Sequence, residues 1–432
     1  MTPRRSTDGA RRPAIAPARR PAIAPARRPA IARARARSRG FTLVELMMAT
    51  TAGLIVSAAA FLLAKNASAV FQEETRITGA QLSASLGLQR LATDLGRAGF
   101  LSTPNIQNDP FVCKETGSWT PLIAGLQAVS IEEQGSLTAH GPDLTQSLTN
   151  GFRPDRIRIA ASFDSAEQLP VRTIEGGGTK TIYLQTQVPQ LQRVCQGETL
   201  ANCKPRLDSI FKQDRILRIL TGSGHQVFAL VDSVAVAGGE LAIKLQPAPT
   251  VPTVEQNPMG ISVNCRDNCW VNAISVVQYE LQALDADPSY GPLVAPIAAA
   301  ATGDDGRTEL TRVELDKNGL PLPDTLELVA EFAVDLKFGI TFIDAATSTV
   351  TDVPIPNPPN SLIYNTPPER IRSVHVRLST RARAPDRPAD LAAGPDGRRH
   401  RFGIPVGGKT VFARMRTLYS EVALQNVVKG LW

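Results

Sequence analysis

The sequence predicts an α+β protein. One long N-terminal helix, apolar in its first half, packs on a β-rich antiparallel head. Three observations predict this. Between residues 41 and 64 the only ionisable side chain is Glu45. No proline interrupts the chain from Phe41 to Thr103, and Pro104 is the first breaker. Farther on, short alternating or β-branched runs recur between turn clusters, as strands and hairpins do.

The first forty residues stand apart from everything after them. They carry twelve arginines and one acid, Asp8, a net of +11. The whole chain is +7, so the part from Phe41 onward is −4. The basic character therefore belongs to the leader. A positive segment before an apolar run holds its side of the membrane in the cytoplasm, which is a simpler use than binding nucleic acid. Residues 11–18, 19–26 and 27–34 are near-copies of Arg-Arg-Pro-Ala-Ile-Ala-Pro-Ala, with Arg33 replacing proline in the third. Such Arg- and Pro-rich repeats bury no core.

The helix follows, expected over 41–98. Its first 24 residues, 41–64, would span roughly 36 Å at ~1.5 Å per residue, enough for a hydrocarbon core of about 30 Å. An acid inside such a span costs about 2.5–3.5 kcal/mol, which marks Glu45 as functional. Beyond it, Ile77, Ala84, Leu88, Leu91, Leu95 and Ala98 recur at helical steps, and Glu74, Arg90, Asp94 and Arg97 fall largely between them. Residues 65–100 are thus an amphipathic continuation. Gly79, Gly87, Gly96 and Gly99 weaken it by about 1 kcal/mol each relative to alanine, so packing on a head must hold it.

The head, 101–432, is expected to carry strands at 156–161, 181–185, 226–236, 241–245, 273–281, 331–342 and 370–378. Turn clusters at 176–178 and 316–319 separate some of them. Pro-rich stretches at 246–258, 286–301, 353–368 and 384–397 read as surface loops.

Arg39-Gly40-Phe41-Thr42-Leu43-Val44-Glu45-Leu46, followed by the uncharged run 47–64, resembles the class III signal of type IV prepilins and type II secretion pseudopilins. In that family a peptidase cuts after the glycine and the new N-terminal phenylalanine is methylated. The resemblance implies cleavage after Gly40, methylation of Phe41, and for Glu45 a role in subunit assembly, as partner of the Phe41 amine of a neighbouring subunit. Each charge alone is costly in a bilayer, whereas the pair is tolerable and fixes axial register. Residues 91–100 look like the helix end of PilW-type minor pilins, where an Asp-Leu-Arg-Ala-Gly-aromatic run is usual; here Gly96 stands before Arg97. Residues 328–339, 370–381 and 416–426 are similar to the closing strands of that family, with Gln425 in place of an arginine.

Other motifs carry less. Residues 403–410 match the spacing of a nucleotide-binding P-loop. However, 397–402 do not read as a buried strand, Pro405 sits where amides should cradle phosphate, and only 22 residues follow Thr410. A glycine-rich hairpin turn is the expectation, with no nucleotide. Five cysteines are present, and in an oxidising compartment they would pair. Cys195 with Cys203 and Cys265 with Cys269 close the shortest loops, leaving Cys113 over. Neither spacing is a standard zinc pattern, so no metal is expected. His140, His225, His375 and His400 are scattered, and 304–306 and 316–319 read as turns, not calcium loops. Nothing points to catalysis or to a cofactor.

The resemblance therefore implies a minor pilin of the PilW type, which primes or caps a type IV pilus. It would sit as a single-pass inner-membrane protein with its head in the periplasm, then pass to the pilus. Its partners would be prepilin peptidase, other minor pilins and the major pilin, an inner-membrane assembly platform, and membrane lipid, with no nucleic acid. The alternatives are a J-type pseudopilin of a type II secretion system, which shares the signal, and a tip-displayed adhesin carried by the large middle of the head.

Overall fold

The computed structural model of the protein describes residues 41–114, 119–133, 144–176, 179–262, 265, 268–284, 287–294, 307–355, 360–385, 401–406 and 408–427. The leader with its repeats and Gly40, the turns at 177–178 and 304–306, His140, His400, Gly407 and parts of three Pro-rich stretches lie outside these residues. The chain divides into two compact units, Met1–Asn66 and Ala67–Trp432.

Helix α1 is Leu43–Gly96, 54 residues long. In the first unit every described residue, 41–66, is exposed, including Phe41, Leu54 and Phe61. With no buried face, this helix is long and apolar enough to cross a membrane by length and composition.

In the second unit α1 turns amphipathic. Ala80, Ala84, Gly87, Leu91 and Leu95 are buried at four- and three-residue steps, and Ala98 continues the line past the helix end. Among the described residues, fifteen strands accompany it: β1 (Val129–Glu133), β2 (Asp155–Ala161), β3 (Leu169–Glu175), β4 (Thr181–Leu184), β5 (Ile216–Leu220), β6 (Gln226–Ala237), β7 (Glu240–Leu245), β8 (Trp270–Gln282), β9 (Glu309–Glu314), β10 (Glu327–Ala330), β11 (Ala333–Ile343), β12 (Val350–Val353), β13 (Ile371–Arg381), β14 (Arg401–Val406) and β15 (Lys409–Ala423). The expectation of an α+β chain with a long apolar helix and an antiparallel β-rich head holds.

One core lies under the helix. Leu91 and Leu95 pack with Tyr279 and Leu281 of β8, Phe338 of β11, Val376 and Leu378 of β13, and Leu424. The sheet behind it runs β12-β11-β13-β15-β14. A second core is separate. Strand β8 is long enough to serve two sheets: 275–282 pairs with β2 and β9, while 270–274 pairs with β5 and β3. From β8 the pairing passes through β3, β4, β7, β6 and β5 and returns to β8, which closes a six-stranded barrel. Closure removes the open edges a small sheet would expose. Its interior holds Val171, Ile182, Leu217, Ile219, Val227, Leu241, Ile243 and Val271, joined by Leu191 and Leu207 from the short helices Pro189–Val194 and Leu200–Ile210.

Two expectations need correction. Neither 246–258 nor 353–368 is merely a surface loop: Val251 is buried in the barrel core, and Ile363 of the short helix Ser361–Asn365 is buried in the core under α1. Of the stretch 397–402, expected not to be a buried strand, only Arg401 and Phe402 are described; they open β14, whose Phe402 and Ile404 lie in a small core with Val334, Ala413 and Met415. The apolar side chains alternate there with Arg401, Gly403 and Pro405, which hid the pattern.

Candidate functional site

The N-terminal segment is built by the chain's own capping chemistry. The first N–H groups of any helix lack intrahelical partners. Here the Thr42 amide donates to Glu45 Oε2 at 3.0 Å and the Thr42 hydroxyl donates to the same oxygen at 3.1 Å. The Glu45 amide donates back to Thr42 Oγ1 at 3.2 Å. This is a reciprocal capping box, with threonine before the helix and glutamate at its third position. Leu46 N–H then donates to the Thr42 carbonyl at 3.1 Å, the first turn of α1. Phe41 precedes this cap and is exposed. Glu45 thus stands on the first turn of the apolar helix, four residues from Phe41. Besides the intersubunit role that the resemblance implies, Glu45 caps its own helix, and its Thr-x-x-Glu spacing to Thr42 is the sequence signal for this.

The other end of α1 is set into the head by charge and close approach. Asp94, expected on the polar side, is buried. Its Oδ2 accepts from Tyr279 Oη at 2.8 Å and from Arg312 Nε at 2.8 Å. Arg90 bridges it outward, donating through Nε and Nη2 to Glu327 at 3.1 Å each. Burial and the adjacent Asp94 carboxylate hold the Tyr279 phenol protonated well beyond its ordinary range. Gly99 has φ +75°, the left-handed conformation that ends helices, and a Cβ there would meet Ala128 and Val427 at 3.3 Å. Its N–H donates to the Ala160 carbonyl at 2.9 Å. Asn426 Nδ2 donates to the Gly96 carbonyl at 3.3 Å, so residues of the 91–100 and 416–426 segments meet at the helix end.

A buried ionic cluster ties the two sheets. Asp155 of β2 accepts from Lys337 Nζ at 2.7 Å, from Tyr364 Oη at 2.9 Å and from the Phe338 amide at 3.2 Å. Burial outweighs the Lys337 charge and pushes the Asp155 carboxyl up to about 6. Nearby on β11, Asp335 accepts from Arg377 Nε at 3.0 Å. Every one of these groups is matched by another from the same chain, which is the pattern of a structural lock.

The remaining candidates separate. Cys195 is bonded to Cys203 and Cys265 to Cys269. Cys113 is in neither bond, and all five sulfurs belong to the barrel core. The P-loop-like segment is the turn of the β14–β15 hairpin, with Pro405 opposite Thr410. Asn150 completes it by donating to the Gly403 carbonyl and accepting from the Gly403 amide at 2.7 Å. His375 sits in β13 with Nε2 3.0 Å from Thr341 Oγ1, and His225 lies in the turn between β5 and β6. At 316–319, Asp316 Oδ1 accepts from the Asn318 and Leu320 amides, a self-contained turn. Among the described residues no three His, Cys, Asp or Glu side chains converge on a metal site.

Residues 35–61 match the family model of the prokaryotic N-terminal methylation motif. That stretch spans the predicted cleavage position, Phe41, the capping box and the start of the apolar run. Neither the curated proteins nor the solved structures contain a match to this chain. The matched motif and the single apolar helix that follows it support a type IV pilin-like protein and are consistent with membrane anchoring.

Proposed function

We propose that this chain is a minor pilin of the PilW type, processed after Gly40, methylated on Phe41 and assembled through Glu45 into a type IV pilus. One observation carries the reading: the methylation motif opens a helix that leads without interruption into an amphipathic segment seated on a β-rich head. Prepilin peptidase, other minor pilins, the major pilin, an inner-membrane assembly platform and membrane lipid are the partners this implies. The chain acts as a structural subunit, not an enzyme, with its head in the periplasm before assembly.

The head is large and irregular, and a helical fibre gives every subunit the same lateral contacts. A barrel repeated along a shaft would crowd its neighbours, whereas one copy at a tip meets none above it. Quantitative mass spectrometry of sheared pili should find the chain far below the major pilin, and immunogold should label fibre ends. Labelling along the whole shaft at near-equal abundance would overturn the tip placement. Recovery with a secretion machinery instead of pili would favour the J-type pseudopilin.

A second reading is supported by the barrel itself. Its closed pairing and separate disulfide-bearing core fit a displayed adhesin module carried on a pilin-like frame. Antibody fragments raised against the barrel should leave pili intact and block attachment to surfaces; unchanged attachment with the barrel occupied would remove this reading.

A further inference from the structure

A groove lies open between α1 and the end of the five-stranded sheet. Val70, Glu74, Ile77 and Thr78 share one face of α1 and line a cavity of about 490 Å³ with Arg414 and Arg416 of β15. The same helix face is buried from Ala80 onward. Thr380 Oγ1 of β13 donates to the Ala80 carbonyl at 2.7 Å, and Arg416 is the cross-strand neighbour of Thr380. On β15 the face that carries Leu418 opposite Leu378 continues as Arg416 and Arg414. Arginines therefore stand where packing on the helix would call for apolar side chains. Among the described residues, neither the Glu74 carboxylate nor the Arg416 guanidinium has a hydrogen-bond or ion-pair partner.

We infer that this groove binds the headgroup of a zwitterionic aminophospholipid, phosphatidylethanolamine in kind. The two arginines take the phosphate, Glu74 takes the ammonium, and Val70 and Ile77 cover the glycerol and first methylenes. The inference rests on membrane anchoring by residues 41–64 and not on the pilus assignment. A purely anionic ligand would set Glu74 against its charge, and a purely cationic one would meet two guanidiniums. Phosphate and a primary ammonium two carbons apart satisfy both walls, because arginine matches phosphate oxygens bidentately and an ammonium donates three hydrogen bonds. A quaternary choline donates none. Position agrees with this chemistry. Six residues separate Ala64, the end of the apolar run, from Val70, about 9 Å of helix at ~1.5 Å per residue. The headgroup layer is of similar depth, about 5–8 Å on each side of the hydrocarbon core. Val70 and Phe71 are 55% and 70% exposed, apolar surface suited to that layer.

The test uses the full chain purified from membranes and placed in nanodiscs with equal amounts of phosphatidylethanolamine, phosphatidylcholine and phosphatidylglycerol. The lipids that stay bound on release are read by native mass spectrometry. Retained phosphatidylethanolamine should exceed each of the others by about tenfold, the scale of one charge-assisted hydrogen bond. Glu74→Gln should bring phosphatidylethanolamine and phosphatidylglycerol to within about twofold of each other, and Arg416→Gln should lower retention of all three lipids by about tenfold. Both side chains are exposed, so both variants should keep the wild-type urea midpoint. Equal retention of the three lipids by the wild-type chain would overturn the inference. So would a preference that survives both substitutions, or a fall in both midpoints, which marks a structural pair. Displacement of the lipid by millimolar inorganic phosphate, or a second copy of the chain retained in its place, would also overturn it. A chain absent from the membrane fraction would instead refute the anchoring on which the inference rests.

Discussion

Replacing Gly79 and Gly87 by alanine makes the same chemical change eight residues apart on α1, with opposite outcomes. Alanine is favoured over glycine in a helix by about 0.8–1.0 kcal/mol. At Gly79 a Cβ would meet nothing within 4 Å, so Gly79→Ala should keep the whole gain. At Gly87 a Cβ would stand 2.8 Å from the Ala330 Cβ and 3.2 Å from Leu378 Cδ2. Carbon atoms pack at about 3.5–4.0 Å, so helix and strand would have to part by most of an ångström. Ala330 is no flexible chain end that can swing aside. Overpacking of this sort costs about 1–3 kcal/mol, which cancels or exceeds the propensity gain. Gly79→Ala should therefore stabilise the head by about 1 kcal/mol, and Gly87→Ala should destabilise it by up to about 2 kcal/mol. Urea unfolding of the detergent-solubilised chain, followed by the fluorescence of Trp119 and Trp270, reads the difference. Equal stabilisation by both substitutions would refute the close seating of α1 against β10 and β13.

Two further outcomes follow from the head. Lys337→Met leaves Asp155 buried without its cation, at a cost of about 3–5 kcal/mol near pH 8. The Asp155 carboxyl is raised to about 6 from an unfolded value near 4, so the folded state holds its proton where the unfolded state has released it. Its contribution to stability is full below about pH 4 and is lost as pH rises through about 6. The Lys337→Met penalty should therefore shrink at pH 5, as the orphaned carboxyl neutralises; urea midpoints equal at pH 5 and pH 8 would contradict this. Replacing Cys195 and Cys203 together by serine opens a loop of eight-residue separation and should cost the barrel about 2–3 kcal/mol. A urea midpoint unchanged by the double substitution, or by reductant, would show that this bond does not hold the barrel.

The parts of the fold governed by local pattern were legible. The helix expected over 41–98 is Leu43–Gly96, because proline is absent and the apolar stripe is strong. The runs at 226–236 and 241–245 are rich in apolar and β-branched residues between turn signals and are β6 and β7. What escaped depends on residues distant in sequence. Strand β9, Glu-Leu-Thr-Arg-Val-Glu, looks like a solvated segment, yet Glu314 is buried against Arg215 and Arg312 against Asp94. Asp94 has an ordinary polar position on the helix until Arg312 and Tyr279 arrive from some two hundred residues away. The barrel closes through β8, whose double pairing no local pattern reveals. The helix Leu200–Ile210 contains Pro205 in its second turn, where it removes a donor and argues against a helix; the buried Cys203, Leu207 and Ile210 and the Cys195–Cys203 bond hold it nonetheless. At the candidate site the reverse holds: the Thr42–Glu45 box was written in the local spacing.

The central claim is that this chain is a prepilin-like precursor whose mature form begins at Phe41. The most direct measurement is the N-terminal sequence and intact mass of the membrane form from cells with an active prepilin peptidase. The account predicts N-methyl-Phe41 as first residue and a chain about 4 kDa lighter than the precursor, with Gly40→Asp leaving the precursor alone. An N-terminus at Met1, or one within 49–60, would contradict it.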